Sequence, residues 1–95
     1  MAVRFRIPGP LRPLTAERAE VTVTSAPATV REALEALWSV HPGVRDRVVN
    51  ERGEVRQHIN IFVGVENIRW TGGLSTPVAD GNEISIIPAV SGGLC

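Results

Sequence analysis

The sequence of 95 residues has no lysine, no tyrosine and a single cysteine, Cys95. A lone cysteine cannot form an intramolecular disulfide and excludes most metal frameworks, which is typical of proteins in a reducing compartment. No apolar run approaches the roughly 18 residues of a membrane-spanning helix. Arg4 and Arg6 also interrupt the N-terminal stretch where a signal peptide needs a continuous apolar segment. We therefore expect a cytoplasmic protein with no membrane partner.

The net charge is zero and the aromatic content is low. Ten arginines balance ten acidic residues, and neither sign forms a run. The electrostatic footprint of a nucleic-acid binder is therefore absent. Aromatic residues make up 4% of the chain and hydrophobic residues 43%, so the core must be mostly Val, Ile and Leu, which favours strands with a modest helical element. A chain this short buries only roughly 60 to 65% of its unfolded surface, which predicts one α+β domain.

Two strands and one long helix are predicted in the first half. Apolar and polar residues alternate over 3–7 and again over 21–24, the pattern of half-buried strands, with a long connection between them. Thr29 and Glu32 form a capping box, and apolar residues at helical spacing follow as far as His41. Val44 and Val48 fit one face of a further short helical turn.

The second half is predicted to be mostly extended. Residues 55–63 read as a strand with Val55, Gln57, Ile59, Ile61 and Val63 on its core face. We expect a turn over 64–67, a short edge segment over 68–70, and glycine-dependent turns at 72–73 and 80–81. A last strand over 83–88 turns Ile84 and Ile86 to the core and ends at Pro88.

The order strand, strand, helix, strand, short strand, strand predicts a β-grasp, or ubiquitin-like, roll. Its mixed sheet should have about four to five strands with the main helix packed across one face. We assign residues 1–88 to this domain and residues 89–95 to a flexible C-terminal tail.

The tail carries two adjacent glycines, Gly92 and Gly93. Small residues are common at chain termini, so the pair alone is weak evidence. It becomes informative at a fixed short distance beyond a strand, because residues without a Cβ let an enzyme close around the main chain. From Pro88 to Gly93 the chain can reach about 17 Å, enough to enter a buried site while the folded domain docks outside.

The chain resembles the ThiS/MoaD family of prokaryotic ubiquitin-like sulfur carriers over nearly its whole length, and most closely the cysteine-biosynthesis branch. The resemblance rests on residues 11–13 (LRP), 59–63 (INIFV), 66–69 (ENIR), 72–76 (GGLST), 79–81 (ADG) and 86–93 (IIPAVSGG). The last of these segments is the most specific.

The resemblance implies a sulfur-donating cosubstrate and not an enzyme. An E1-like activating enzyme, which could carry a rhodanese domain, would use ATP to adenylate the Gly93 carboxylate, and a sulfur donor would convert it to a thiocarboxylate. The residues threaded into this partner would be Ala89, Val90, Ser91 and Gly92. A separate synthase would accept the sulfur, most simply for cysteine, although thiamine, molybdopterin and secondary-metabolite pathways stay open. No cofactor or metal would be bound by the carrier itself.

Leu94 and Cys95 follow the glycines and block the carboxylate that must be activated. Some family members are similar in carrying a short extension that a zinc metalloprotease removes, which implies cleavage between Gly93 and Leu94. Cys95 is a poor candidate for a catalytic thiol, because a tail supplies neither a base nor a positive dipole to activate it. An incidental free thiol and an intermolecular disulfide remain as alternatives.

A docking surface is predicted on the sheet face away from the helix. Strand parity places Phe62 and Ile87 there, with His58 and Asn60 among their polar surroundings, together with Arg4 and Arg6. Scattered exposed apolar residues are common, so this assignment competes with a surface of no function. The two histidines, His41 and His58, have no acidic or cysteine partners nearby in sequence and are not expected to bind metal or to catalyse. Both tryptophans are expected to pack in the core or at its rim.

Two other functions fit the same features. A protein modifier would be joined through Gly93 to lysines of target proteins, whereas the lack of lysine here excludes side-chain-linked polymers of the protein itself. A docking subunit that is never activated would retain Leu94 and Cys95.

Overall fold

A computed structural model describes residues 2–24 and 27–88. Five strands and two α-helices are present in these ranges. In chain order they are β1 (Val3–Arg6), β2 (Glu20–Val23), α1 (Val30–Val40), α2 (Arg45–Val48), β3 (Ile59–Val63), β4 (Glu66–Asn67) and β5 (Glu83–Pro88). Short 3-10 helices span Gly9–Thr15, Pro42–Val44, Ile68–Trp70 and Gly73–Ser75. The predicted tail, residues 89–95, lies outside the described residues.

The strands form one mixed sheet in the order β2-β1-β5-β3-β4. β1 pairs in parallel with β5, and the other neighbours pair antiparallel. The last strand of the domain is therefore the centre of the sheet. This order, with α1 packed across one face, is the β-grasp roll that the sequence predicts.

The core fills the space between the sheet and α1. Its largest fully buried side chains include Phe5 from β1, Leu37 from α1, Ile61 from β3, and Ile84 and Ile86 from β5. Alternate residues of each strand thus face the helix, as the period of two requires. The apolar alternation predicted for β1, β2 and β5 is confirmed.

The start of α1 has the predicted cap. The Thr29 hydroxyl accepts a hydrogen bond from the Glu32 backbone N–H at 3.3 Å, while the Glu32 carboxylate accepts one from the Ala28 N–H at 2.9 Å. Both bonds satisfy donors that a helix start leaves free. The short helical turn predicted around Val44 and Val48 is also confirmed, and both side chains are fully buried.

The strand predicted over 55–63 begins only at Ile59. The Asn50 side-chain oxygen accepts bonds from the Arg52 and Glu54 N–H groups, and this turn returns the chain to the end of α2. Val55 then pairs with Val49 in an isolated bridge, outside β3. The chain must turn again at 57–58 to reach the sheet, so Gln57 is exposed and the prediction of a core position for it is wrong.

The segment after β3 also differs from the prediction. The turn is confined to residues 64–65, and Glu66–Asn67 forms β4 where a turn was expected. Residues 68–70 form a 3-10 helix in place of an edge strand, because the Asn67 side chain caps its start by accepting from the Arg69 N–H at 3.0 Å. Gly72 and Gly73 have φ values of 118° and 63°, which confirms the predicted glycine-dependent turn.

Candidate functional site

The root of the tail is held by the strand at the centre of the sheet. β5 is paired on one side with β1 and on the other with β3, and its last residue, Pro88, lies opposite Ile59. The ladder with β1 covers residues 83–85, and the ladder with β3 continues to Pro88, so the chain is held to the sheet as far as Pro88. The predicted roles of Ala89, Val90, Ser91, Gly92, Gly93, Leu94 and Cys95 fall on residues outside the described ranges and stay predictions.

The sheet face opposite α1, which we call the open face, holds both apolar residues named from strand parity. The Phe62 side chain is half-buried, and Ile87 is 46% exposed. Phe62 pairs with Ser85 and Asn60 with Ile87, so Phe62 and Ile87 are diagonal neighbours on adjacent strands. Residues in this relation are close enough for an aromatic side chain to contact its neighbour.

Two further apolar side chains extend this surface. Val65, in the turn between β3 and β4, is 92% exposed, and Trp70 is 82% exposed. Together with Phe62 they line a shallow hollow of about 480 Å³. The expectation that Trp70 packs in the core or at its rim is therefore wrong, whereas Trp38 does pack against the core. We call Phe62, Val65, Trp70 and Ile87 the open-face patch.

The open-face patch differs from scattered exposed apolar residues because its side chains lie next to one another. Four large apolar residues of the described chain are prominently exposed, and three of them, Val65, Trp70 and Ile87, belong to the patch. The fourth, Val40, lies at the end of α1 on the other side of the sheet. A cluster of exposed apolar side chains with a polar rim marks an interaction site more often than the same residues scattered singly.

The polar surroundings agree only partly with the prediction. Asn60 lies on the open face, where its side-chain oxygen accepts a bond from the Asn67 amide at 3.2 Å. Arg4 pairs with Thr22 and Glu83 across the sheet, and the Arg6 guanidinium is 3.5 Å from the Glu83 carboxylate. His58 is exposed in the turn before β3, so its placement on the strand face is wrong.

The described ranges contain no candidate cluster of metal ligands and no candidate membrane-spanning helix. Among residues 2–24 and 27–88, no three His, Cys, Asp or Glu side chains are grouped so as to hold a metal ion. Within the same residues, no helix is long and apolar enough to cross a membrane.

Comparison with known proteins gives close matches over the whole domain. The sulfur carrier protein CysO of Mycobacterium tuberculosis is 34% identical over 95 residues, which is 98% of this chain and 100% of the relative. Small archaeal modifier protein 1 of Haloferax volcanii is 39% identical over 66 residues, 70% of this chain and 71% of the relative. The crystal structure of the Amycolatopsis orientalis BexX/CysO complex contains a chain that superposes with a TM-score of 0.86 at 36% identity, covering 93% of this chain and 96% of that one.

One family model matches almost the whole chain. Residues 5–93 match the ThiS family, a region that runs from within β1, through the open-face patch and β5, to the second glycine of the tail. The related folds carry the same sheet and helix at identities of 31 to 36%. On these grounds the chain belongs to the ThiS family.

Proposed function

We propose that this protein is a sulfur carrier whose Gly93 carboxylate is converted to a thiocarboxylate. The observation that carries the proposal is the extent of the family match, which includes Gly93 and leaves out Leu94 and Cys95. A relative that is named a sulfur carrier aligns over the full length of the chain. The protein is then the cosubstrate of other enzymes, and its domain serves to present the tail.

Two chemical steps would place sulfur on Gly93. An oxygen of the Gly93 carboxylate attacks the α-phosphorus of ATP in an activating enzyme, which forms a mixed anhydride and releases pyrophosphate. Hydrosulfide then attacks the carbonyl carbon, the C–O bond to the phosphate breaks, AMP leaves with the electron pair, and loss of the S–H proton gives the thiocarboxylate. The product thiocarboxylate keeps the glycine backbone, which the enzyme can enclose closely because there is no Cβ.

Cleavage after Gly93 precedes both steps in this proposal. The sequence continues with Leu94 and Cys95, so Gly93 has no free carboxylate until that peptide bond is hydrolysed. A zinc metalloprotease is the class of enzyme that the family resemblance implies for this reaction.

The open-face patch is the proposed docking surface for the activating enzyme and for the sulfur-accepting synthase. Ile87 lies one residue from the root of the tail, and Phe62 and Trp70 continue the patch toward the β4 edge. An interface centred there holds Pro88 beside the partner, and about 17 Å of tail then reaches to Gly93. Large aromatic side chains such as Trp70 are the residues that most often dominate binding energy in interfaces.

Intact-mass measurement tests the proposal. The full-length protein and a version ending at Gly93 are each incubated with ATP, a candidate activating enzyme and sulfide. We expect the version ending at Gly93 alone to gain the mass difference between sulfur and oxygen. A gain in the full-length protein without cleavage contradicts the processing step, and no gain in either version contradicts sulfur carriage.

A second candidate function is protein modification through Gly93. The observation in its favour is the match to small archaeal modifier protein 1, at 39% identity over 70% of this chain. The same activated glycine would then be captured by lysines of target proteins. Amide-linked adducts in place of a thiocarboxylate, in an extract with ATP and no added sulfide, would support this function.

A further inference from the structure

A second, charged feature lies beside the root of the tail. A hollow of about 230 Å³ is lined by the side chains of Arg6 and Arg12, together with Ser85 and Ile87 of β5. No carboxylate is among the residues of ranges 2–24 and 27–88 that line it. Two cations therefore lie together beside the C-terminal end of β5, in a chain whose formal net charge is zero.

Within the described part of the chain, each of the two guanidinium groups has one hydrogen-bond partner. Arg12 donates from Nε to the Ile7 carbonyl oxygen at 3.2 Å, which fixes the side chain and leaves its terminal nitrogens for other partners. Arg6 is 3.5 Å from the Glu83 carboxylate, and its side chain is 63% exposed. An exposed pair at this distance holds a guanidinium only weakly. Among the described residues, one carboxylate, that of Glu83, thus accompanies two cations, which leaves a surplus of positive charge at the hollow.

We propose that Arg6 and Arg12 form a carboxylate-binding site for acidic side chains of the activating enzyme. The inference rests on the proposed function and adds the chemistry of the partner surface that receives the tail. Because the hollow shares Ile87 with the open-face patch, one partner surface can cover both. Guanidinium groups suit this purpose, since each offers a planar fork of donors that matches a carboxylate.

Distance excludes the nucleotide as the occupant. The adenylated group is Gly93, about 17 Å along an extended chain from Pro88, whereas the hollow lies at the root of the tail. When the tail is threaded into the enzyme, the ATP phosphates are therefore out of reach of both arginines. The groups that can meet Arg6 and Arg12 at this point are side chains around the entrance through which the tail passes.

Charge reversal tests the site. The variants Arg6→Glu, Arg12→Glu and the double variant, each ending at Gly93, are compared with wild type by the rate of thiocarboxylate formation at increasing carrier concentration. We expect KM to rise about tenfold for each reversal and kcat to stay within about twofold, because rim charges act on encounter and docking. The rise in KM should become much smaller when NaCl is increased from about 0.05 to about 0.5 M, because salt screens exposed charges. These concentrations lie below and above the physiological ionic strength, at which the Debye length is about 8 Å.

Arg47→Glu is the matched control, because Arg47 is exposed in α2 and does not line the hollow. An equal rise in KM for Arg47→Glu, or no rise for Arg12→Glu, overturns the proposal. Arg12→Gln removes the charge without adding a carboxylate and replaces Arg12→Glu if thermal unfolding shows that the latter is not folded. If the unsubstituted version ending at Gly93 is not converted, the proposed function fails. If that version and the double variant are converted equally well, only the carboxylate-binding site fails.

Discussion

Replacing Trp70 by alanine should weaken partner binding strongly while leaving the fold intact. Trp70 is 82% exposed, which for an indole side chain of up to about 250 Å² leaves about 200 Å² in water. If a partner covers half of it, burial contributes about 2.5 kcal/mol at roughly 25 cal/mol per Å². Loss of that contribution raises the dissociation constant about 60-fold. The free energy of unfolding should change by less than about 0.5 kcal/mol, as for other exposed positions.

The other tryptophan supplies a matched control within the same chain. Trp38 is partly buried against the core, so Trp38→Ala should lower the free energy of unfolding by about 2 kcal/mol, less than the cost at a fully buried site. Its affinity for the partner should be unchanged at temperatures where it is folded. The two substitutions therefore separate stability from binding, since each should affect only one of them.

Fluorescence reports on Trp70 directly. In a Trp38→Phe background, Trp70 is the one remaining tryptophan, since the chain has two. Titration with the activating enzyme labelled by a non-fluorescent tryptophan analogue should shift the Trp70 emission to shorter wavelength as water is excluded from the indole. An unshifted spectrum at saturating partner, with unchanged affinity for Trp70→Ala, would refute the assignment of Trp70 to the interface.

Three further substitutions, the first with a matched control, test the patch and the fold. Phe62→Asp should raise the dissociation constant for the partner at least about tenfold, because the substitution places a charge in the centre of an apolar contact. Val40→Asp, on the helix side of the sheet, should leave the dissociation constant unchanged. Equal affinities of the two variants in a titration would contradict this prediction. Thr29→Ala should cost about 1 kcal/mol through loss of the helix cap, seen as a fall of about 4 to 8 °C in Tm. Gly72→Ala should cost at least about 1 kcal/mol in urea unfolding, because φ at this position is 118°; a neutral result would show that the turn relaxes.

The parts of the fold that could be predicted are those determined by neighbours in sequence. The capping box of α1 joins residues three apart, and the alternation in β1 and β5 depends only on the pleat. Phe62 and Ile87 could be placed on the open face for the same reason. These predictions required no knowledge of which strands pair.

The parts that could not be predicted depend on side chains that redirect the backbone. Asn50 and Asn67 each accept hydrogen bonds from N–H groups of the following residues, and each starts a turn that apolar periodicity does not reveal. As a result Val55 was assigned to a strand that begins only at Ile59, and Trp70 was assigned to the wrong environment. The tendency of asparagine to start turns was the one available indication in the sequence. It does not show to which side of the backbone the next side chain points.

The position of β5 has a consequence for biosynthesis. β5 is the last strand to be made, yet it lies between β1 and β3 and supplies the ladder on both sides. A nascent chain that ends before Glu83 lacks the strand that joins the two halves of the sheet, so the domain cannot close until residue 88 has left the ribosome. In the proposed carrier, the reactive glycine is synthesised after that strand and so belongs only to chains that have everything needed to fold. Products that end before Glu83 therefore lack both the strand that completes the sheet and the reactive glycine.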